Sequence, residues 1–351
     1  MPGNRPVRLF ASCVILLLLA GCNPFSEVRP MMDEYVERVS RVLDTEPEYS
    51  RIPATDQMPR RRNRVLPMPE LELSMLDFLS LYGCELQYVV GEKNSVMGKV
   101  MQPLNRLRYE VRFIRAAGDC LKTVENDELQ EVLEKAISSK RETLPIAVWN
   151  ATWGVEEVET LFTLAKGEYP ITADDPLSDL ARDVRQLNGS VAVLMEQDLE
   201  VDLGFWGDVH QRWQAEYRAG QLINSARLVT ARLGDATGII RQRLDSRPLC
   251  LNGKPNNQSD IVQSMFFSIY IEKVQPYLAD LRRARTDLIK PLSELATMQA
   301  DVMPDQFRVW YQSALALDGR ESVWASLDAA VNTHTKAWQA LLEQCGLRPG
   351  A

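Results

Sequence analysis

Apolar residues return every three or four positions along most of this chain, the period of an α-helix with one buried face, and no segment alternates as a half-buried strand does. Met32, Tyr35, Val39 and Val42 open the pattern, and residues 70–92 read as the next helix, ending in a turn from Gly91 to Ser95. Met97, Val100, Leu104, Leu107, Val111 and Ile114 share one helix face, which Pro103 either kinks or begins. Asn126 or Asp127 caps a helix through Leu129, Val132, Leu133 and Ala136. The run LPIAVWNATWG then reads as a break, followed by a helix through Val158, Leu161 and Leu164.

Asp175-Pro176 reads as an N-cap with proline at the first helical position, starting a helix lined by Leu180, Val184, Leu187, Val191 and Leu194. One helix is expected over 207–245, its seam carrying Ala219, Ile223, Ala226, Leu233, Thr237 and Ile240, with residues small enough to let a neighbour approach. Over 258–300, Phe267, Val274, Leu281, Leu288 and Leu295 recur at sevenfold spacing, with kinks expected at Pro276 and Pro291. Pro304 opens a short helix, and 320–344 forms the last. Residues 47–69 escape the pattern: Pro47, Pro53, Pro59, Pro67 and Pro69 break any helix, and a long irregular segment of this kind is often functional. The fold class expected is all-α, one or more elongated bundles of long, kinked antiparallel helices. A boundary after 168 divides it into an N-terminal helical subdomain, 31–168, and a C-terminal bundle, 175–346.

The N-terminus is different in kind. Arg5 and Arg8 precede an apolar run, Leu9 to Ala20, too short for the roughly 20 residues of a membrane span. It ends Leu19-Ala20-Gly21-Cys22, which resembles the bacterial lipobox. The resemblance implies a signal peptide over 1–21, cleavage before Cys22, palmitate-type acyl chains on that cysteine, and a tether over 22–30. Two or more chains anchor stably. Asn23, rather than Asp, follows the cysteine, so the expected address is the outer membrane, facing the periplasm. The membrane is then the first partner, through the lipid, and an envelope protein the second.

Charge and cysteines narrow the function. The formal net charge of −8 becomes −10 when Arg5 and Arg8 leave, which argues against nucleic acid as a partner. Cys84, Cys120, Cys250 and Cys345 lie far apart with no CxxC, so zinc sites are not indicated. An exported chain with an even count points to two disulfides. Of the three pairings, Cys84–Cys120 and Cys250–Cys345 are favoured, and four buried thiols are the alternative. The first pairing requires a break at Pro103, because one straight hairpin would leave Cys120 some 20 Å too far along.

No GxSxG, HExxH, P-loop or GxGxxG is found, and no cofactor or metal is expected. Helical imelysin-like proteins carry Gly-x-His-x-x-Glu. In GDVHQRWQAE, His210 has Trp213 at that place and Glu216 off its face, so it reads as a packing histidine, as does His334. Glu156-Glu157 reads as a helix start. Two patches remain. Arg60, Arg61, Arg62 and Arg64 are candidates for contact with anionic head groups, or form a solvated loop. Trp149 and Trp153 are candidates for a ligand groove, or a core stripe at helical spacing.

Three runs, MMDEYVERVSRVLD, LSLYGCELQYVVGEKNSVMGKVMQPLNRLRYE and CLNGKPNNQSDIVQSMFFSIYIEKVQPYLADL, together resemble an uncharacterised lipoprotein family of Gram-negative bacteria, domain of unknown function 3080. The resemblance implies architecture and compartment and no activity. The expected function is a non-enzymatic scaffold or partner-binding module of the envelope. The alternatives are a binder of a small molecule or cell-wall fragment, and a carboxylate-based hydrolase.

Overall fold

Val28, Met32, Tyr35, Val36, Val39 and Leu43 lie on one stripe and are all fully buried, so α1 (Val28–Leu43) is a core helix from its first turn. The computed structural model describes residues 27–54, 56–69, 81–94, 101–171 and 177–347. The body therefore begins inside the stretch assigned to the tether: Val28 to Pro30 belong to α1. Asp44, in the left-handed region at φ 53°, ends the helix, and the Thr45 N–H reaches back to the Ser40 carbonyl. The chain then returns along the body as an irregular strap to residue 69, interrupted by one 3₁₀ turn, Arg61–Asn63.

A small lobe follows. Its helices are α2 (Glu85–Asn94), α3 (Pro103–Leu121) and the first half of α4 (Asp127–Thr152). Leu86, Val89, Phe113, Ala117 and Leu133 form its own core. Pro103 is the first residue of α3, the break that the pairing of Cys84 with Cys120 required, and the two Cα atoms stand 5.5 Å apart. Residues 70–80 of the expected second helix lie outside the described residues. The turn expected from Gly91 is instead the last turn of α2.

Asn126 caps α4, its side chain accepting from the Leu129 N–H. The expected break at LPIAVWNATWG does not occur. α4 continues through Pro145 to Thr152 because Leu144, Ala147, Val148, Trp149 and Ala151 are buried on it, and that burial outweighs the hydrogen bond the proline forfeits. Between α3 and α4, Glu110 is sealed from solvent with Lys140, its carboxylate 2.8 Å from the Lys140 Nζ and 2.6 Å from the Nε of the partly exposed Arg106.

Next come α5 (Glu157–Leu161), α6 (Ser178–Met195), α7 (Trp206–Ala215) and α8 (Arg218–Ser246). Asp175-Pro176 lies outside the described residues. The single helix expected over 207–245 is two: Glu216 is extended at φ −111°, ψ 147°, and its carboxylate pairs with Arg218 across the break. The second segment then starts hard against another part of the chain. A side chain at Gly220 would place its Cβ 2.0 Å from the Thr163 carbonyl. Leu222, Val229, Ala236, Ile239 and Ile240 bury α8 on more than one side, as befits the central helix. It packs against α1 and against the last helix.

The rod expected over 258–300 is continuous: α9 (Asn257–Met265), a π stretch (Phe266–Val274), α10 (Gln275–Ala284), a second π stretch (Arg285–Ile289) and α11 (Lys290–Thr297). Pro276 and Pro291 each stand two residues past a π stretch, where the wider turn accommodates the missing N–H. The change of register shows in the seam. Val274, Leu281, Leu288 and Leu295 are fully buried, whereas Phe267 is exposed and Phe266 takes its inward place. After α12 (Asp305–Ala314), α13 (Val323–Glu343) closes the fold, and Cys345 meets Cys250 at a Cα separation of 5.2 Å. No strand occurs among the described residues, and no described helix is long and apolar enough to cross a membrane. The architecture is all-α, and its main core takes residues from both sides of the 168–175 boundary.

Candidate functional site

Arg64 decides how the strap lies. It is fully buried, not a surface contact for anions. Its guanidinium donates to the Trp153 carbonyl at 2.7 Å and to the Glu159 carboxylate at 2.6 Å. Burial pulls its pKa down and the Glu159 charge opposes that. Two residues on, the Asn150 side chain accepts from the Leu66 N–H and donates to the Leu66 carbonyl, both at 2.8 Å, as a paired strand would. The Trp149 indole N–H donates to the Arg64 carbonyl at 2.7 Å.

Trp149 and Trp153 are therefore not ligand-facing. Their spacing of four places both on the inner side of α4, where each is fully buried and meets Phe307 at ring separations of 5.0 and 4.9 Å. They carry the strap on one side and the core on the other.

With Arg64 buried, the neighbouring arginines stand over the connection between α4 and α5. Arg61 donates to the Gly154 carbonyl at 3.0 Å and to Glu156 at 3.2 Å, and its N–H is taken by Glu159 at 2.9 Å. Arg60 and Arg62 are exposed and have no partner among the described residues. Beside Arg61 opens a polar cleft of about 390 Å³, walled by the first turn of α3, the α4–α5 connection and α7. An adjoining hollow of about 580 Å³ runs under Arg60 and Arg62, and the two share Arg61, Glu156, Glu157 and Gln214.

His210 lies in this lining and is 7% exposed. Burial pushes its pKa below the ordinary value, against the pull of the Glu157 carboxylate and a hydrogen bond to the Ala151 backbone. Its Nε2 has no partner. Glu157 is half-buried and forms no ion pair among the described residues, whereas Glu156 is held by Arg61 and Glu159 by Arg64. Trp213, at the place where the imelysin-like signature has its acid, is fully buried 5.8 Å from the His210 ring. Among the described residues no group of three His, Cys, Asp or Glu is placed to hold a metal ion.

The cleft assembles the basic run, the Glu156-Glu157 pair and His210, which the sequence presents as three unrelated features. One local signal marks its floor: Gly207, Gln211 and Gln214 recur at helical spacing on the outer face of α7, a polar stripe opposite the buried Trp206 and Trp213.

His334 belongs to a different constellation, sealed in the core. The Thr237 hydroxyl donates to the Leu233 carbonyl at 2.6 Å, so it accepts from the His334 Nδ1–H at 2.9 Å. The Nε2 is then free to accept from the Tyr35 hydroxyl at 2.5 Å, whose oxygen takes the Trp338 indole N–H at 2.8 Å. Every proton has an acceptor, and the imidazole is neutral. The node ties α1, α8 and α13 together.

Burial lowers the His334 pKa to about 3, against 6.5 for a free imidazole, so on acidification the unfolded chain takes up the proton first. Its contribution to stability is complete above pH 6.5 and falls by about 1.4 kcal/mol per pH unit from there toward pH 3. Urea unfolding at pH 4.5 should therefore show a loss of about 3 kcal/mol relative to pH 7 that a His334→Gln variant lacks. Equal pH slopes in the two proteins would exclude this origin.

A family model described as a protein of unknown function (DUF3080) matches residues 32–349. No curated protein matches the chain, and no solved structure does.

Proposed function

We propose, for a chain that belongs to the DUF3080 family of proteins of unknown function, a lipid-anchored, non-enzymatic partner-binding module of the cell envelope whose binding site is the cleft under Arg60–Arg62. The acyl anchor is Cys22, and the body faces the periplasm from the outer membrane. The Leu19-Ala20-Gly21-Cys22 sequence and two closed disulfides support this compartment. So does the start of the body at Val28, which leaves only Asn23 to Glu27 between the acyl cysteine and a buried residue. The six residue spacings from Cys22 to Val28 reach at most about 22 Å, which holds the folded domain close to the bilayer.

The observation that carries the binding role is that the strap is fixed by a buried arginine while Arg60 and Arg62, beside it, are left exposed over a polar hollow. Rigid support of unspent polar groups is the pattern of a prepared site. A photo-crosslinking residue at Gln214 is expected to give a discrete adduct in intact envelopes, and one at exposed Ile261 none. Mass spectrometry of the native N-terminal peptide is expected to show acyl chains on Cys22. An unmodified cysteine would remove the anchor, and identical adduct patterns at the two positions would remove the cleft.

A further inference from the structure

We infer that the cleft takes an extended peptide by its free terminal carboxylate, gripped by Arg60 and Arg62, while side-chain amides along the floor read the backbone. The inference rests on the reading of the cleft as the binding site.

Three features of the walls carry it. At the strap end, Arg61 is consumed by Gly154 and Glu156, but the guanidiniums of Arg60 and Arg62 are unpaired and flank the same hollow. A planar guanidinium matches a carboxylate with two parallel N–H donors. Gln102, Asn105, Gln211 and Gln214 line the adjoining cleft. Each primary amide offers a donor and an acceptor, the complement of a peptide bond. A further polar group of the floor is the Glu157 carboxylate, an acceptor suited to N–H or ammonium donors of the ligand.

Other chemistries fit less well. A chain of phosphates would carry negative charge along the whole cleft against Glu157, whereas a peptide brings a single carboxylate to Arg60 and Arg62, where Glu156 and Glu159 are already paired with Arg61 and Arg64. A sugar ring would look for an aromatic face, and the tryptophans next to the cleft, Trp153, Trp206 and Trp213, are fully buried. A peptide with a free carboxylate has two sources in an envelope, a cell-wall stem peptide ending in D-residues and the C-terminus of a protein, ending in an L-residue.

Titration calorimetry of the full mature chain in detergent, at low salt, separates these. The probes are the peptide Ala-Gly-Ala-Gly-Ala with a free C-terminus, its C-terminal amide, and the same peptide ending in D-Ala-D-Ala. The free acid is expected to bind at least about tenfold more tightly than the amide. Arg60→Gln combined with Arg62→Gln should abolish that preference and leave amide binding unchanged. Gln211→Ala with Gln214→Ala should weaken acid and amide alike. A preference for the D- or the L-ended acid then names the source. Equal binding of acid and amide overturns the carboxylate grip while leaving the cleft as a site. Heat from no probe overturns both.

Discussion

Replacing Cys250 and Cys345 together by serine is expected to lower the free energy of unfolding by about 5 kcal/mol, read from the urea midpoint without reductant. The bridge joins residues 95 apart, and a loop of that length loses more unfolded-state freedom on cross-linking than the 36-residue separation of Cys84 and Cys120, for which about 4 kcal/mol is expected. Hydrogen bonds flank the bridge: the Leu249 N–H donates to the Gln344 side chain at 2.8 Å, and the Asn256 amide donates to the Leu249 carbonyl at 2.9 Å. Those bonds position the cysteines in the folded state, so the loss should appear as a shifted midpoint and not as a new fold. With total stabilities of roughly 5–15 kcal/mol for a domain, the serine variant sits near its unfolding threshold. A shift under about 1 kcal/mol would mean that the reduced unfolded chain is already constrained in this region.

Glu110→Ala is expected to cost about 3–5 kcal/mol. Glu110 and Lys140 have almost no exposed surface, so neither can turn to water when its partner is lost. Arg106, 17% exposed at its side chain, can move outward and recover part of its hydration, so Lys140 bears the cost. Burial already lowers the Lys140 pKa, and the Glu110 charge is what holds it up. Removing the carboxylate leaves an ammonium between the rings of Tyr109 and Phe113, 5.4 Å from each. The informative comparison is Glu110→Leu with Lys140→Met, which removes both charges and should restore most of the loss, because a buried ion pair contributes little over apolar residues of similar size. If the single and the double variant are equally destabilised, the cost lies in packing and not in the orphaned charge.

Some helix starts were legible from a local group that satisfies or omits the first N–H donors, although the equally local caps at Asn256 and Ser322 were not read. Asn126, Pro103 and Pro304 each mark one, and each works within a few residues of itself. The disulfide pairing was legible for a related reason: it follows from where helices begin and how they return. The end of α4 was not, because Pro145 argues for a stop and only the burial of Trp149 and its neighbours, supplied by distant parts of the chain, overrides it. The split at Glu216 was hidden likewise, since the approach of Gly220 to Thr163 is a tertiary fact. At the cleft, Arg60 to Arg64 read as four equivalent cations. Which one is buried depends on carbonyls of Trp153 and Val155, about 90 residues away, and no periodicity announces that. Trp149 and Trp153 illustrate the opposite case: the spacing of four named their core role correctly, and the aromatic chemistry that suggested a groove did not.

The sealed node of Tyr35, His334 and Trp338 joins side chains 299 and 303 positions apart. A ribosome adds roughly 5–20 residues per second, so the apolar stripe of the first helix waits roughly 10–40 s for α8, which packs against it, and roughly 15–60 s for the residues that complete the node. Until α8 arrives the nascent chain carries an unshielded greasy surface at its leading end, and it needs a holding chaperone or a delayed collapse to stay unaggregated.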